Sequence, residues 1–403
     1  MQSHDNQVKR RRVFYIPGYD PFPPRRYREL YRKEGAKQAE ISGYEIKLRS
    51  SRQSEGYGWH VFAKMEGGQA EADIEVLTWS DLVQGSMQSS IPATFAMLVQ
   101  TAWIYIHSGA LRRLMWLRKG PVIAALYPIA MLLAQLLVAV VVSWMAGALV
   151  SSYIHPWLGW LVALPLIILI LRGFRRLDRH LYAYYLMHDY AYSAQLKGAN
   201  PPELESRMKE FAERIAVALV SDVDEVLVVG HSSGAHLAVS ILADLIRAGR
   251  APQGRAQLAF LSVGQVVPMV SFLPKASRLR RDLRDLSRSQ ALTWVDISAP
   301  GDGCAFALCD PVAVSGVAPP DKRWPLVVSA AFSQTLSPQL WRRLRWRFFR
   351  LHFQYLCAFD RPGDYDYFKI TAGPQTLAQR YRGRQPSKSR IDVAASPCTT
   401  IEE

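Results

Sequence analysis

Over residues 120–171 the chain has no Asp, Glu, Lys or Arg. No other stretch departs so far from the average composition. Cysteine is scarce, with Cys304, Cys309, Cys357 and Cys398 the only four. Their spacings match no metal-binding pattern and exclude a disulfide scaffold, so they are expected to be reduced, mostly buried thiols. No metal or cofactor is expected. The N-terminus lacks a signal-peptide core: the run Val13-Phe14-Tyr15-Ile16 is too short, and Pro17-Gly18 ends it. Internal repeats, zinc-finger spacings, recognition-helix patterns and RNA-binding aromatic motifs are absent as well. The surplus of 49 Lys and Arg over 34 Asp and Glu, +15 in all, is therefore read as affinity for anionic lipid rather than for nucleic acid.

The uncharged stretch divides at Ser151-Ser152-Tyr153-Ile154-His155-Pro156. Each part is long enough, or nearly so, for the roughly 20 apolar residues that a bilayer demands, at about 122–145 and 157–174. The reading is a two-helix membrane hairpin. Its competitor is a buried hairpin in a soluble core. Arg112, Arg113, Arg118 and Lys119 precede the first run, and Arg172, Arg175, Arg176 and Arg179 follow the second. The connection has no fixed positive charge. Positive flanks stay inside, which places both termini and the rest of the chain in the cytoplasm, at an inner or plasma membrane. Trp144, Tyr153, Trp157 and Trp160 surround the connection, as interfacial aromatics do.

Outside this insertion, strand-like and helix-like segments alternate, which predicts an α/β fold with a mainly parallel sheet covered on both faces. The expected organisation is a basic tail (1–12), a first part of the α/β domain (13–90), a helical membrane insertion (91–196), a second part (197–372) and a polar, disordered tail (373–403). Residues 340–359 read as one long aromatic-rich helix. Its Trp341, Trp346, Phe348, Phe349, Phe353 and Tyr355, interleaved with arginines, suit either a membrane surface or core packing. The arginine cluster from Arg278 to Arg288 reads as a solvated helix face, with contact to anionic lipid as the alternative.

The strongest local signal is Gly230-His231-Ser232-Ser233-Gly234. A buried strand at 226–229 leads into it and a helix from Ala235 leads out. Gly-x-Ser-x-Gly in that context is a nucleophile elbow: the serine sits on a tight turn, and Gly230 and Gly234 let strand and helix approach. Unpaired donors at the helix start would face a developing oxyanion. On these residues the chain resembles the α/β-hydrolase superfamily, as a membrane-anchored member of bacterial type, over 13–90 and 200–372.

The resemblance implies a Ser–acid–His order. His352 is the expected general base, because no other histidine follows Ser232 outside the elbow helix. His231 and His236 are read as structural. Asp302, between Gly301 and Gly303 after a strand, is the expected acid, with Asp296 and then Asp310 as alternatives. The N–H groups of Ser233 and Tyr19 are the expected oxyanion donors, although the loop after residue 16 departs from the HGGG form of lipases. The implied activity is hydrolysis of a carboxylic ester, lipid-like if the membrane supplies it. The competing reading is a catalytically idle membrane scaffold. Two spans without intramembrane charge argue against a transporter.

Overall fold

Runs that are apolar on both faces belong to strands covered on both sides. Residues 13–16, 226–229 and 258–261 are such runs, and every one of them is buried. In the computed structural model, which describes residues 7–50, 56–251 and 256–402, they lie in one eight-stranded sheet of order β2-β3-β4-β1-β5-β6-β7-β8. The strands are β1 (Arg10–Ile16), β2 (Glu45–Ser50), β3 (Tyr57–Met65), β4 (Gly68–Val76), β5 (Glu225–His231), β6 (Gln257–Val263), β7 (Leu292–Ser298) and β8 (Leu326–Ser329). The β2–β3–β4 meander is antiparallel. All other pairings are parallel.

From β1 the chain builds first to one side and later to the other. This reversal opens a crevice beyond the carboxyl ends of β1 and β5, where ligands bind in open α/β sheets. Register aligns the two ends, with Tyr15 beside Val229 and Ile16 beside Gly230. On one sheet face, α1 (Arg25–Ser42) contributes Tyr27 and Tyr31 to a core shared with Phe332, Tyr355 and Phe368.

The insertion starts with α2 (Ile91–His107) and α3 (Ala110–Leu117) and continues into α4 (Lys119–Tyr153) and α5 (Pro156–Arg176). It returns through α6 (Ala183–Ala194). Helices α4 and α5 are long and apolar enough to cross a membrane. Their Leu, Val and Trp side chains are largely exposed, unlike those of a soluble core helix. Gly147 and Gly159 bring the two helices into close contact, as small residues do between membrane helices. The 35 residues of α4 run about 52 Å at 1.5 Å per residue, against a hydrocarbon core of about 30 Å. The first part of α4 packs inside the protein: Val122 shares a cluster with Met269 and Phe272, and Leu132 one with Leu98, Tyr184 and Met187 of α2 and α6.

On the opposite face of the sheet lie α7 (Pro202–Leu219), α8 (Gly234–Arg247) and α9 (Ser277–Arg288), joined through Phe211, Ile215, Leu237, Ile241 and Leu283. The segment predicted as one helix over 340–359 is instead α10 (Pro338–Leu344), α11 (Phe348–His352) and a 3₁₀ turn at Phe353–Leu356.

Three other expectations are corrected. The basic tail does not extend to residue 12, because β1 begins at Arg10; residues 1–6 lie outside the described residues. Arg11 is buried against Glu225 at 2.6 Å and donates to the carbonyls of Gly373 and Gln375. These bonds also hold down the start of the segment expected to be disordered. Further along it, Ile391 bridges to Cys309, and Arg280 donates to the Thr400 carbonyl at 2.7 Å. Arg280 is thus interior, not on a solvated face. Arg278 joins Glu205 and Asp244 rather than a lipid surface.

Candidate active site

Strand β5 delivers Ser232 into α8 through a turn in which Ser232 has φ +57°. A side chain bears this left-handed conformation only where its surroundings enforce it. A Cβ at Gly234 would collide with the Ile16 carbonyl oxygen, and one at Gly230 would lie 2.7 Å from the Ala235 Cα. Both glycines are therefore required for β1, β5 and α8 to approach. Ser232 remains partly exposed, while His231 and Ser233 on either side are buried. The loop after β1 closes over it: a Cβ at Gly18 would stand 3.4 Å from Ser232 Oγ.

The predicted acid and base meet. His352 Nδ1 and Asp302 Oδ2 are 2.7 Å apart. The Asp302 carboxylate also accepts from the Tyr355 hydroxyl at 3.0 Å and from the Cys304 N–H at 2.9 Å. Tyr355 itself accepts the Ala299 N–H. Carboxylate and imidazole are thus fixed from several sides, with Nδ1–H held on Asp302 and Nε2 left for the cavity. His352 and Ser232 line one cavity of about 740 Å³, within the usual range for small-molecule sites. His352 lies at the end of α11, not in the middle of a long helix.

The alternative acids are placed elsewhere. Asp296 is fully buried in β7, accepts from Ser262 Oγ at 2.6 Å, and is pushed up to about 8 by burial. Asp310 caps a short helix and pairs with Lys322 at 2.6 Å. Neither meets His352. Asp296 therefore affects stability and not the site. Its proton is retained in the fold and lost in the unfolded chain between about pH 4 and 8, so stability falls as pH rises across that window. Asp296→Asn removes this slope, worth at most about 1.4 kcal/mol per pH unit. Thermal unfolding in detergent at pH 7 and pH 8 checks it.

His231 and His236, read above as structural, are both buried. Burial lowers His231 to about 3, so it is neutral. It faces the Tyr15 hydroxyl through Nδ1 at 3.2 Å and the His352 carbonyl through Nε2 at 3.1 Å. His231 thereby anchors the backbone of His352. His236 is buried in α8 and lowered to about 4. The Ser233 N–H heads α8 and has no intrahelical acceptor. The Tyr19 N–H, the other expected donor, is already engaged by one weak bond, to Ser233 Oγ at 3.3 Å.

The contacts or placement of three residues escaped the sequence reading. Tyr355 and His231 act through partners more than 50 positions away. Asp189, on α6, lines the same cavity. It has no hydrogen-bond partner among the described residues, and burial pushes it up to about 7. An acidic residue facing a tyrosine-lined cavity was the only available signal. The ligand atoms of Asp302, Cys304 and His352 lie within 4.8 Å of one another. Both Asp302 oxygens are already engaged, and burial together with nearby carboxylates raises the Cys304 thiol. The cluster therefore fits a hydrogen-bonded acid–base pair better than a metal cage. No family model, curated protein or solved structure matches the chain.

Proposed function

We propose that the chain is a membrane-anchored serine hydrolase of the α/β-hydrolase kind, acting on carboxylic esters. The observation that carries this reading is the shared cavity of Ser232, held on a strained turn, and His352, bonded to Asp302. Ser232 Oγ attacks the ester carbonyl while His352 Nε2 takes its proton. The Ser233 and Tyr19 N–H groups receive the oxyanion. His352 then returns the proton to the departing alcohol. Water repeats the sequence on the acyl-serine and releases the acid. Asp302 holds the imidazole through Nδ1 and stabilises the imidazolium. The hairpin holds the domain at the cytoplasmic face, with its arginine flanks inside.

The test is covalent. A fluorophosphonate should label the reconstituted protein once, at the peptide containing Ser232; folded protein that takes no label would leave only an anchored α/β scaffold. A pH prediction follows from Asp189. Above about pH 7 it ionises, and its charge favours the imidazolium formed in the transition state. The ratio kcat/KM for a neutral ester should rise through pH 7, and Asp189→Asn should lose that component of the profile.

A further inference from the structure

We propose that the segment 341–350 is a second membrane contact, resting on an anionic leaflet, and that the substrate is a bilayer-resident acyl ester admitted between it and the chain leaving α5. The substrate half of this proposal rests on the serine hydrolase reading; the contact half does not.

The first observation concerns charge. Arg342, Arg343, Arg345, Arg347 and Arg350 find no carboxylate among the described residues, whereas Arg207, Arg247 and Arg278 each pair with one. Unpaired arginines beside a bilayer are drawn to anionic headgroups. The second is exposure. Trp346 is 72% exposed and Phe348 46%. Aromatics outside the core, set among arginines, have the composition of an interfacial anchor. Trp341, Phe353 and Tyr355 pack on the core instead, so the two readings of this aromatic run apply to different residues.

The third observation is position. Phe349 packs on Tyr182 and Tyr185 at centroid distances of 5.1 and 6.2 Å. Tyr182 follows the end of α5 by six residues, so the segment lies where the hairpin leaves the apolar layer. Arg179, Tyr182, Arg343, Phe349 and Arg350 line the same cavity as Ser232. The cavity therefore runs from this rim, near the hairpin's end, to the nucleophile. The rim arginines Arg179, Arg343 and Arg350, with Tyr182, Tyr185 and Phe349 beside them, suit an amphiphile with an acidic headgroup and an acyl chain; Asp178 and Asp189 are acidic groups that also line this part of the cavity.

The experiment uses the full chain in nanodiscs of phosphatidylglycerol or phosphatidylcholine. Wild type is compared with a variant carrying Trp346→Ala, Arg342→Gln, Arg345→Gln and Arg347→Gln, none of which lines the cavity. Amide exchange over 341–350 should slow in the anionic discs alone, and not in the variant. Turnover of a phosphatidylglycerol ester should fall at least about tenfold in the variant, given the contribution of each basic residue at an anionic surface. Fluorophosphonate labelling and turnover of p-nitrophenyl butyrate should stay within about twofold, as for ordinary surface changes. Equal exchange in both lipids overturns the contact. Wild type that cleaves the soluble ester and spares the lipid overturns the substrate class. Protected amides without labelling would overturn the hydrolase reading, and with it the substrate class, while upholding the contact.

Discussion

Ser232→Ala is expected to lower ester turnover by up to about a millionfold, the scale seen when a triad nucleophile is deleted, and to abolish fluorophosphonate labelling. The nearest alternatives are poorly placed to replace it: burial raises the Cys304 thiol beside His352. Ser233 is the neighbouring hydroxyl, but it is buried and accepts the Tyr19 N–H. Any residual rate would come from the oxyanion donors and from binding, which act without a nucleophile. The substitution removes one small oxygen and leaves both elbow glycines in place, so the fold should survive. The measurement is kcat on a chromogenic ester, beside a thermal unfolding curve. A variant retaining a tenth of the activity would exclude Ser232 as the nucleophile.

Asp302→Asn comes second, at about 10⁴-fold in kcat, the scale for losing the correct imidazole tautomer. An amide at 302 can present its own N–H to His352 Nδ1, which favours the proton on Nε2, where it blocks attack. The remaining oxygen would still accept the Cys304 N–H, while the Tyr355 hydroxyl, which donates to the oxygen that is replaced, must turn to accept from the new N–H; the side chain stays in place, so the loss should appear in kcat with little change in KM. Asp296→Asn provides the control: its side chain meets Ser262 and not His352, and its kcat should match wild type.

The sequence made local features legible. The elbow needs only a strand, five residues and a helix, all adjacent. The hairpin declares itself by composition. Asp302 and His352 were reachable because a serine–acid–histidine order restricts the choice, and Asp296 stayed open because a strand aspartate and a loop aspartate look alike without coordinates. What escaped depends on contacts distant in sequence. Nothing in Trp341 to Phe359 is Pro or Gly, so the break between α10 and α11 has no local signal. It accompanies tertiary contacts: Phe349 sits on Tyr182 while His352 and Tyr355 both reach Asp302. The polar C-terminal segment misled for the same reason, since its order depends on Arg11, Arg280 and the Cys309 bridge.

The place of β1 in the sheet bears on how such a chain is made. Its neighbours are β4, synthesised before the hairpin, and β5, synthesised after it. On the anchored reading proposed above, a ribosome would hand the apolar helices to the insertion machinery while β1 still exposed one bare edge. Unpaired edges of that kind invite misassembly. The turn that carries Ser232, at the end of β5, would take shape only when the last half of the polypeptide docks onto strands made earlier, so that on the proposed reading insertion precedes the birth of activity.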